Sequence, residues 1–144
     1  MKIVLDTNIV FSALISPEST ISRLLFSSDK LFSFYTCDYL EVEIRRHWAK
    51  LSKMSGLTSD ELTEAMVLLF ERIKFINKDL IPWKVHNKAD LMVKDIDPDD
   101  IDFVALSMYL NAKLLTGDKK LYAGLKSKGF SFVMNTQEML MKIM

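Results

Sequence analysis

Short apolar runs alternate along the chain with longer segments whose apolar residues recur every three or four positions. Ile3, Val4 and Leu5 follow one another without a polar residue between them, which predicts a strand buried on both faces, as in a parallel sheet. A second such run, Lys113 to Leu115, stops at Thr116. Weaker strand patterns cover residues 31–37, 74–76 and 130–133, whereas 81–85 is ambiguous and limited by Pro82 to an edge strand.

Helical patterns fill the intervals between these strands. Residues 9–14 and 19–26 predict one helix or two, with Pro17 marking a break or a first turn. Asp38 followed by Glu41, and Thr58 followed by Glu61, each have the spacing of a capping box at the start of a helix. Further helices are predicted over residues 38–53, 59–73, 87–93, 101–110 and 119–128, and from about 136. This alternation predicts an α/β protein, a three-layer α/β/α sandwich around a mostly parallel sheet.

The length and amino-acid composition restrict the kinds of protein that this chain can be. A length of 144 residues suits one domain, so residues 1–144 are expected to form a single unit. The 19 basic and 19 acidic residues cancel, which argues against a protein held on nucleic acid by overall positive charge but leaves room for a nuclease with an acidic site and a basic rim. The one cysteine, Cys37, excludes an internal disulfide and favours the reducing cytoplasm. No apolar run reaches the ~18 residues of a membrane span, and no signal peptide is recognisable.

The two strongest strands both end in acidic residues. Asp6 follows the first directly, and Asp118 follows the second after Thr116 and Gly117. In a parallel sheet both acids reach the same edge, and the helix opened by residues 97–102 is expected to begin near it. Carboxylates gathered there would raise one another's pKa unless a cation were present. Oxygen ligands without His or Cys favour Mg²⁺ or Mn²⁺, which suit attack of water on a phosphodiester.

Four stretches together resemble the PIN-domain family. They are LDTNIVFSAL at the start, Glu43 before Ile44 in the helix after the second strand, DPDDIDFVALSMYLNAKLLTGDKKL, and GF before the last strand. The resemblance covers essentially the whole chain and is closest to the small prokaryotic members, many of them VapC-like toxins of toxin–antitoxin pairs. It implies an endoribonuclease with four or five parallel strands and a quartet of acids binding one or two Mg²⁺ or Mn²⁺ ions.

The resemblance also implies a role for particular residues. It places the metal ligands at Asp6, Glu43, Asp100 and Asp118, with Asn8 and Thr116 orienting carboxylates or water. Asp97 and Asp102 flank the third ligand and both stay open as ligands, and Glu41 is the alternative to Glu43. Some of these acids also suit an ordinary role as helix N-caps.

Two basic runs follow the predicted ligands in sequence, where an RNA backbone would approach. Arg45, Arg46, Lys119 and Lys120 are therefore candidates for substrate contact, although such runs are often only solvated helix faces. The resulting hypothesis is a cytoplasmic Mg²⁺- or Mn²⁺-dependent ribonuclease that acts on RNA, forms a homodimer and is restrained by a protein antitoxin. The alternative is a non-catalytic PIN-like module that binds RNA or protein. A receiver domain is disfavoured because it needs adjacent acids near its start and a phospho-acceptor Asp near mid-chain.

Overall fold

A parallel sheet forms the centre of the molecule. The computed structural model describes residues 1–27 and 30–143. Its strands are β1 (Lys2–Leu5), β2 (Ser33–Cys37), β3 (Ile73–Ile76), β4 (Lys113–Leu115) and β5 (Val133–Met134), which form a five-stranded sheet in the order β3-β2-β1-β4-β5. Every pairing is parallel. The predicted α/β fold is confirmed, and the sheet in this part of the chain is parallel throughout.

Helices cover both faces of the sheet. They are α1 (Thr7–Ile15), α2 (Thr20–Ser27), α3 (Tyr39–Arg46), α4 (Trp48–Ser55), α5 (Ser59–Phe70), α6 (Trp83–Val93), α7 (Ile101–Leu110), α8 (Lys119–Ser127) and α9 (Thr136–Ile143). Short 3-10 turns lie at Lys78–Leu80 and Pro98–Asp100. Within residues 1–27 and 30–143, no single helix is long and apolar enough to cross a membrane. The helices α1 and α2 together have the required length and composition, but they are bent by 103° relative to each other.

The apolar run of β1 reflects burial on both of its faces. Ile3 and Leu5 pack in one core with residues from α1–α5 and α9, while Val4 packs in a second core with residues from α6–α8. Successive side chains of a strand point to opposite faces, so a strand between two helical layers needs apolar residues at every position. The two cores make the predicted three-layer arrangement.

The two predicted capping boxes have different outcomes. Thr58 accepts the N–H of Glu61 at 3.2 Å, and the Glu61 carboxylate accepts the N–H of Thr58 at 3.0 Å, so this box is confirmed. The prediction for Asp38 is wrong, because its side chain makes no capping hydrogen bond and its backbone is helical, with φ −59° and ψ −26°. An N-cap residue needs an extended backbone, but the Asp38 N–H is held by the carbonyl of Ile76 at 3.1 Å.

Two predicted boundaries are also corrected, and the segment left ambiguous is resolved. The single helix over residues 38–53 is two helices that meet at His47, whose φ of −104° and ψ of 20° interrupt the helical backbone. Residues 81–85 form no strand, because Pro82 stands at the N-cap of α6, where no backbone N–H is required of it. The strand predicted over residues 130–133 lies instead at Val133–Met134, so only Val133 is common to both ranges.

Candidate metal centre

Two acids lie at the carboxyl edge of the sheet. Asp6 directly follows β1 and is 3% exposed, and one of its oxygens accepts the N–H of Ile9 at 2.9 Å, which caps α1. Asp118 is half-buried and caps α8 by accepting the N–H groups of Lys120 at 2.9 Å and Leu121 at 3.1 Å. Because β1 and β4 are hydrogen-bonded neighbours, both acids emerge at one side of the sheet.

Thr116 connects these two acids. Its side chain is buried, and its hydroxyl oxygen accepts the N–H of Asp118 at 3.1 Å. The same hydroxyl makes a hydrogen bond to Asp6 that lowers the pKa of that carboxyl. A single side chain therefore fixes the turn that presents Asp118 and stabilises the charged form of Asp6.

The segment before α7 supplies two further carboxylates. Asp97 accepts the N–H of Asp99 at 3.0 Å and so caps the 3-10 turn, which is an ordinary structural use of one of its oxygens. Asp100 stands at the N-cap of α7 but makes no capping hydrogen bond. Carboxylate oxygens of Asp97, Asp100 and Asp118 lie within 4.8 Å of one another. This spacing suits a hard divalent cation held by oxygen ligands, such as Mg²⁺ or Mn²⁺.

Burial, together with the crowding of these carboxylates, changes their protonation. Burial raises the pKa of Asp6 to about 6, and the nearby charge of Asp118 adds to this, while the Ile9 N–H and the Thr116 hydroxyl oppose it. Burial also raises the pKa of Asp100 to about 7, assisted by the charges of Asp6, Asp97 and Asp118. Like charges held together in a partly dry site favour the protonated forms, and a divalent cation would relieve that repulsion.

A cleft of about 240 Å³, here called the acidic cleft, brings most of the predicted ligands together. It is lined by Asp6, Thr7, Asn8, Phe11, Glu43, His47, Asp97, Asp99, Asp100 and Phe103. Glu43 is directed there by the hydroxyl of Thr7, which donates to its carboxylate at 3.0 Å. Glu41, the alternative, instead pairs with Arg45 at 3.0 Å on the exposed side of α3. The geometry therefore separates the two glutamates and places Glu43 at the cleft.

Asp102, the other open candidate, faces a different group of residues. Its carboxylate oxygens lie 3.9 Å from the Lys78 ammonium nitrogen and 4.0 Å from His86 Nδ1. It is not part of the three-acid group of Asp97, Asp100 and Asp118. Within DPDDID, Asp97 and Asp100 thus join the three-acid group while Asp102 faces Lys78 and His86, because the chain passes there from a 3-10 turn into an α-helix.

Two larger cavities flank the acids. One, here called the Tyr39 cavity, has a volume of about 500 Å³ and is lined by Tyr39, Glu43, Arg46, Asp99, Asp102 and Phe103 together with Cys37, Pro98 and Ile101. The other, of about 380 Å³, is lined by Thr116, Gly117, Asp118, Lys119, Tyr122 and residues 135–137. Arg46 and Lys119, both candidates for substrate contact, therefore line cavities that share a residue with the acidic site.

The remaining basic candidates lie differently. Arg45 lines a separate cavity with Trp48, Ser59, Thr63 and Met66. Lys120 binds Asp118 through its backbone N–H, and its side chain is exposed. Sequence reasoning did not single out Thr7 or Tyr39, although Thr7 stands between the two polar residues of the DTN motif and could have been found there. Tyr39 had no such signal, because its place at the site depends on how α3 is rotated.

Comparisons with known proteins identify the family and the fold of the chain. The family described as "PIN domain" matches residues 4–143. The chain shares its fold with a chain in the crystal structure of VapBC2 from Rickettsia felis, which was solved bound to a DNA fragment from the VapBC2 promoter. The TM-score is 0.67 and the sequence identity is 15%. The alignment covers 94% of this chain and 98% of that chain. No curated protein matches the chain.

Proposed function

The chain belongs to the PIN-domain family, and on that basis we propose that it is a metal-dependent endoribonuclease that hydrolyses RNA phosphodiester bonds. The observation that carries this proposal is the approach of oxygens from Asp97, Asp100 and Asp118 to within 4.8 Å of one another. Burial, assisted by the charges of neighbouring acids, raises the pKa of Asp6 and of Asp100 there. The donor set contains only oxygen, which fits Mg²⁺ or Mn²⁺ and disfavours zinc.

Each residue of the site has a proposed role. Asp6, Glu43, Asp100 and Asp118, with Asp97 beside them, would hold one or two ions. A bound ion of this kind supplies an activated water and stabilises the charge that develops on the phosphate. Thr116 orients Asp6 and Asp118 through its hydroxyl, and Asn8 lies at the mouth of the acidic cleft. Arg46, Lys119 and Lys120 offer positive charge to the RNA backbone, whereas Arg45 faces another cavity and is left out of this role.

The biological setting we propose is a toxin–antitoxin pair. In it, residues 1–144 form one PIN domain that acts in the cytoplasm as a homodimer and is restrained by a protein antitoxin. The support is the resemblance of the sequence motifs to VapC-like proteins, together with the fold shared with the Rickettsia felis VapBC2 chain. Identification of a co-purifying small protein and measurement of the mass in solution would test the antitoxin and the dimer separately.

The nuclease proposal is tested by cleavage of single-stranded RNA with purified protein. We expect cleavage with Mg²⁺ or Mn²⁺ and none with excess chelator. Asp6→Asn should reduce the rate by on the order of 100-fold or more, because it removes a charge at the proposed metal site. Asp95→Asn is the matched control, since Asp95 is exposed and pairs with Lys128 outside the site.

Two results would count against this function. Cleavage in excess chelator, or an unchanged rate for Asp6→Asn, would remove the metal-dependent mechanism. Binding of RNA by the wild-type protein without cleavage under any metal condition would instead favour the non-catalytic module.

A further inference from the structure

The Tyr39 cavity adjoins the acidic cleft. Both are lined by Glu43, Asp99 and Phe103, so these three side chains form the wall between them. A polymer with one phosphate in the acidic cleft must place its next unit within reach of this neighbouring space. The volume of about 500 Å³ is in the range of sites that hold small organic ligands, and it is large enough for one nucleotide.

Arg46 and Lys78 both lie near the ring of Tyr39, but of these two cations only Arg46 lines the cavity. The Arg46 guanidinium donates to the hydroxyl of Tyr39 at 3.1 Å, and its central carbon lies 5.9 Å from the centroid of the Tyr39 ring. The Lys78 ammonium nitrogen is also 5.9 Å from that centroid, but it lies 3.9 Å from a carboxylate oxygen of Asp102 and so already has an acidic partner. Within residues 1–27 and 30–143, no carboxylate forms an ion pair with Arg46. A guanidinium fixed in place without an acidic partner is suited to bind a phosphate.

The neighbouring arginine provides a contrast within one helix. Arg45 pairs with Glu41 at 3.0 Å and lines a different cavity, beside Trp48 and Ser59. Successive residues of an α-helix project about 100° apart, so two arginines adjacent in sequence face different surfaces. Arg46 faces the acids, and Arg45 faces α4 and α5.

We propose that the Tyr39 cavity is the subsite for the nucleotide next to the scissile bond of single-stranded RNA. Arg46 binds the phosphate of that nucleotide, and the Tyr39 hydroxyl holds Arg46 in position. The apolar wall formed by Pro98, Ile101 and Phe103 faces the base. Arg45 makes no contact with the strand. This inference rests on the proposed ribonuclease function, since that function places the neighbouring phosphate in the acidic cleft.

The test compares Arg46→Ala with Arg45→Ala. Binding of a fluorescently labelled single-stranded RNA of about eight nucleotides is measured by anisotropy, with excess chelator and again with Ca²⁺, over a range of salt concentrations. We expect Arg46→Ala to weaken binding by about tenfold and to reduce the slope of log K against log salt by about 0.7, as for loss of one contact with a single-stranded phosphate backbone. Arg45→Ala should retain the affinity and the slope of the wild type.

A second pair of variants separates phosphate binding from a structural effect. Tyr39→Phe removes only the hydroxyl that accepts from Arg46 and should weaken binding roughly twofold to fivefold, less than loss of the guanidinium, without changing the salt slope. Arg46→Lys keeps the charge but loses the planar fork, so it should retain the slope at reduced affinity. Thermal midpoints equal to that of the wild type would show that these variants are folded.

The outcomes of the two proposals can be told apart. Equal affinities for Arg45→Ala and Arg46→Ala would overturn the subsite even if the wild type cleaves RNA. A selective effect of Arg46→Ala on binding, in a protein that cleaves no RNA with any metal, would support the subsite as a nucleotide site and overturn the nuclease.

Discussion

The ends of β1 and β4 look alike in sequence, but they place their acids in different environments. Leu5 pairs with Leu115 across the two strands, so the residues that follow them, Asp6 and Thr116, are the structural equivalents. These two are 3% and 1% exposed. Asp118 comes two residues later and is half-buried. The comparison shows that burial at this edge is set by the register of the strands rather than by the type of residue.

This difference in burial gives Asp6 and Asp118 different roles at the site. Asp6 is enclosed, one of its oxygens accepts the N–H of Ile9, and its pKa is raised to about 6 by burial. Asp118 stands further out and contributes an oxygen to the three-acid group with Asp97 and Asp100. We infer that Asp118 is the more accessible ligand, whereas Asp6 mainly sets the electrostatic potential and the position of its neighbours. The following predictions test this division.

The largest expected difference concerns metal affinity. Calorimetry with Mn²⁺ should show binding to the wild type and a loss of about 10- to 100-fold for Asp118→Asn, because one ligand of the three-acid group loses its charge. Asp6→Asn should lose less, and the exposed Asp95→Asn should bind as the wild type does. If Asp6→Asn and Asp118→Asn lost equal Mn²⁺ affinity, Asp6 would coordinate the ion as directly as Asp118 does. The proposed difference between their roles would then be wrong.

The next prediction concerns how the free energy of unfolding depends on pH. Because the pKa of Asp6 is higher in the folded protein, at about 6, than the ordinary value of 3.8, the unfolded state loses its proton first as the pH rises. Stability from this group is therefore full below pH 4 and is lost as the pH passes through about 6. Between pH 5 and pH 8, with chelator present, Asp6 alone should cost roughly 1.4 kcal/mol of the free energy of unfolding.

Urea unfolding at several pH values gives the measurement for this effect. Asp100, whose pKa is raised to about 7, should extend the loss of stability toward pH 8. Asp6→Asn should flatten the dependence, because it removes the titrating group and one charge that acts on Asp100. Asp118→Asn acts only through its charge on Asp6 and Asp100 and should flatten it less. The quantity to compare is the difference in free energy of unfolding between the wild type and Asp6→Asn. If this difference were the same at pH 5 and at pH 8, the raised pKa of Asp6 would be contradicted.

Much of this edge was predictable because its determinants are local. The apolar run of Ile3 to Leu5 indicated a strand buried on both faces, and the acids after β1 and β4 followed from the strand pattern. The Thr58 capping box formed because Thr58 and Glu61 satisfy each other's N–H groups within a single turn. Such features depend on residues within a few positions, so a single sequence contains them.

The features that sequence reasoning missed depend on distant parts of the chain. Asp38 has the spacing of a capping box, but its backbone is helical and its N–H is bound by the carbonyl of Ile76 on the distant strand β3. The opposite placements of Arg45 and Arg46 depend on how α3 is rotated against the sheet. None of these is fixed by local propensity.

The smallest effect concerns Thr116, which links the two strand ends. Thr116→Val keeps the shape but removes the acceptor for the Asp118 N–H and the hydroxyl that lowers the pKa of Asp6, so it should cost about 1 kcal/mol. The cost should be larger at pH 8 than at pH 5, because the lost hydrogen bond favours the charged form of Asp6 and that form dominates only above a pH of about 6. Thr116→Ser keeps the hydroxyl and should show a cost independent of pH. Urea unfolding at both pH values distinguishes the two variants, and equal costs for Thr116→Val at pH 5 and pH 8 would show that Thr116 does not stabilise the ionised Asp6.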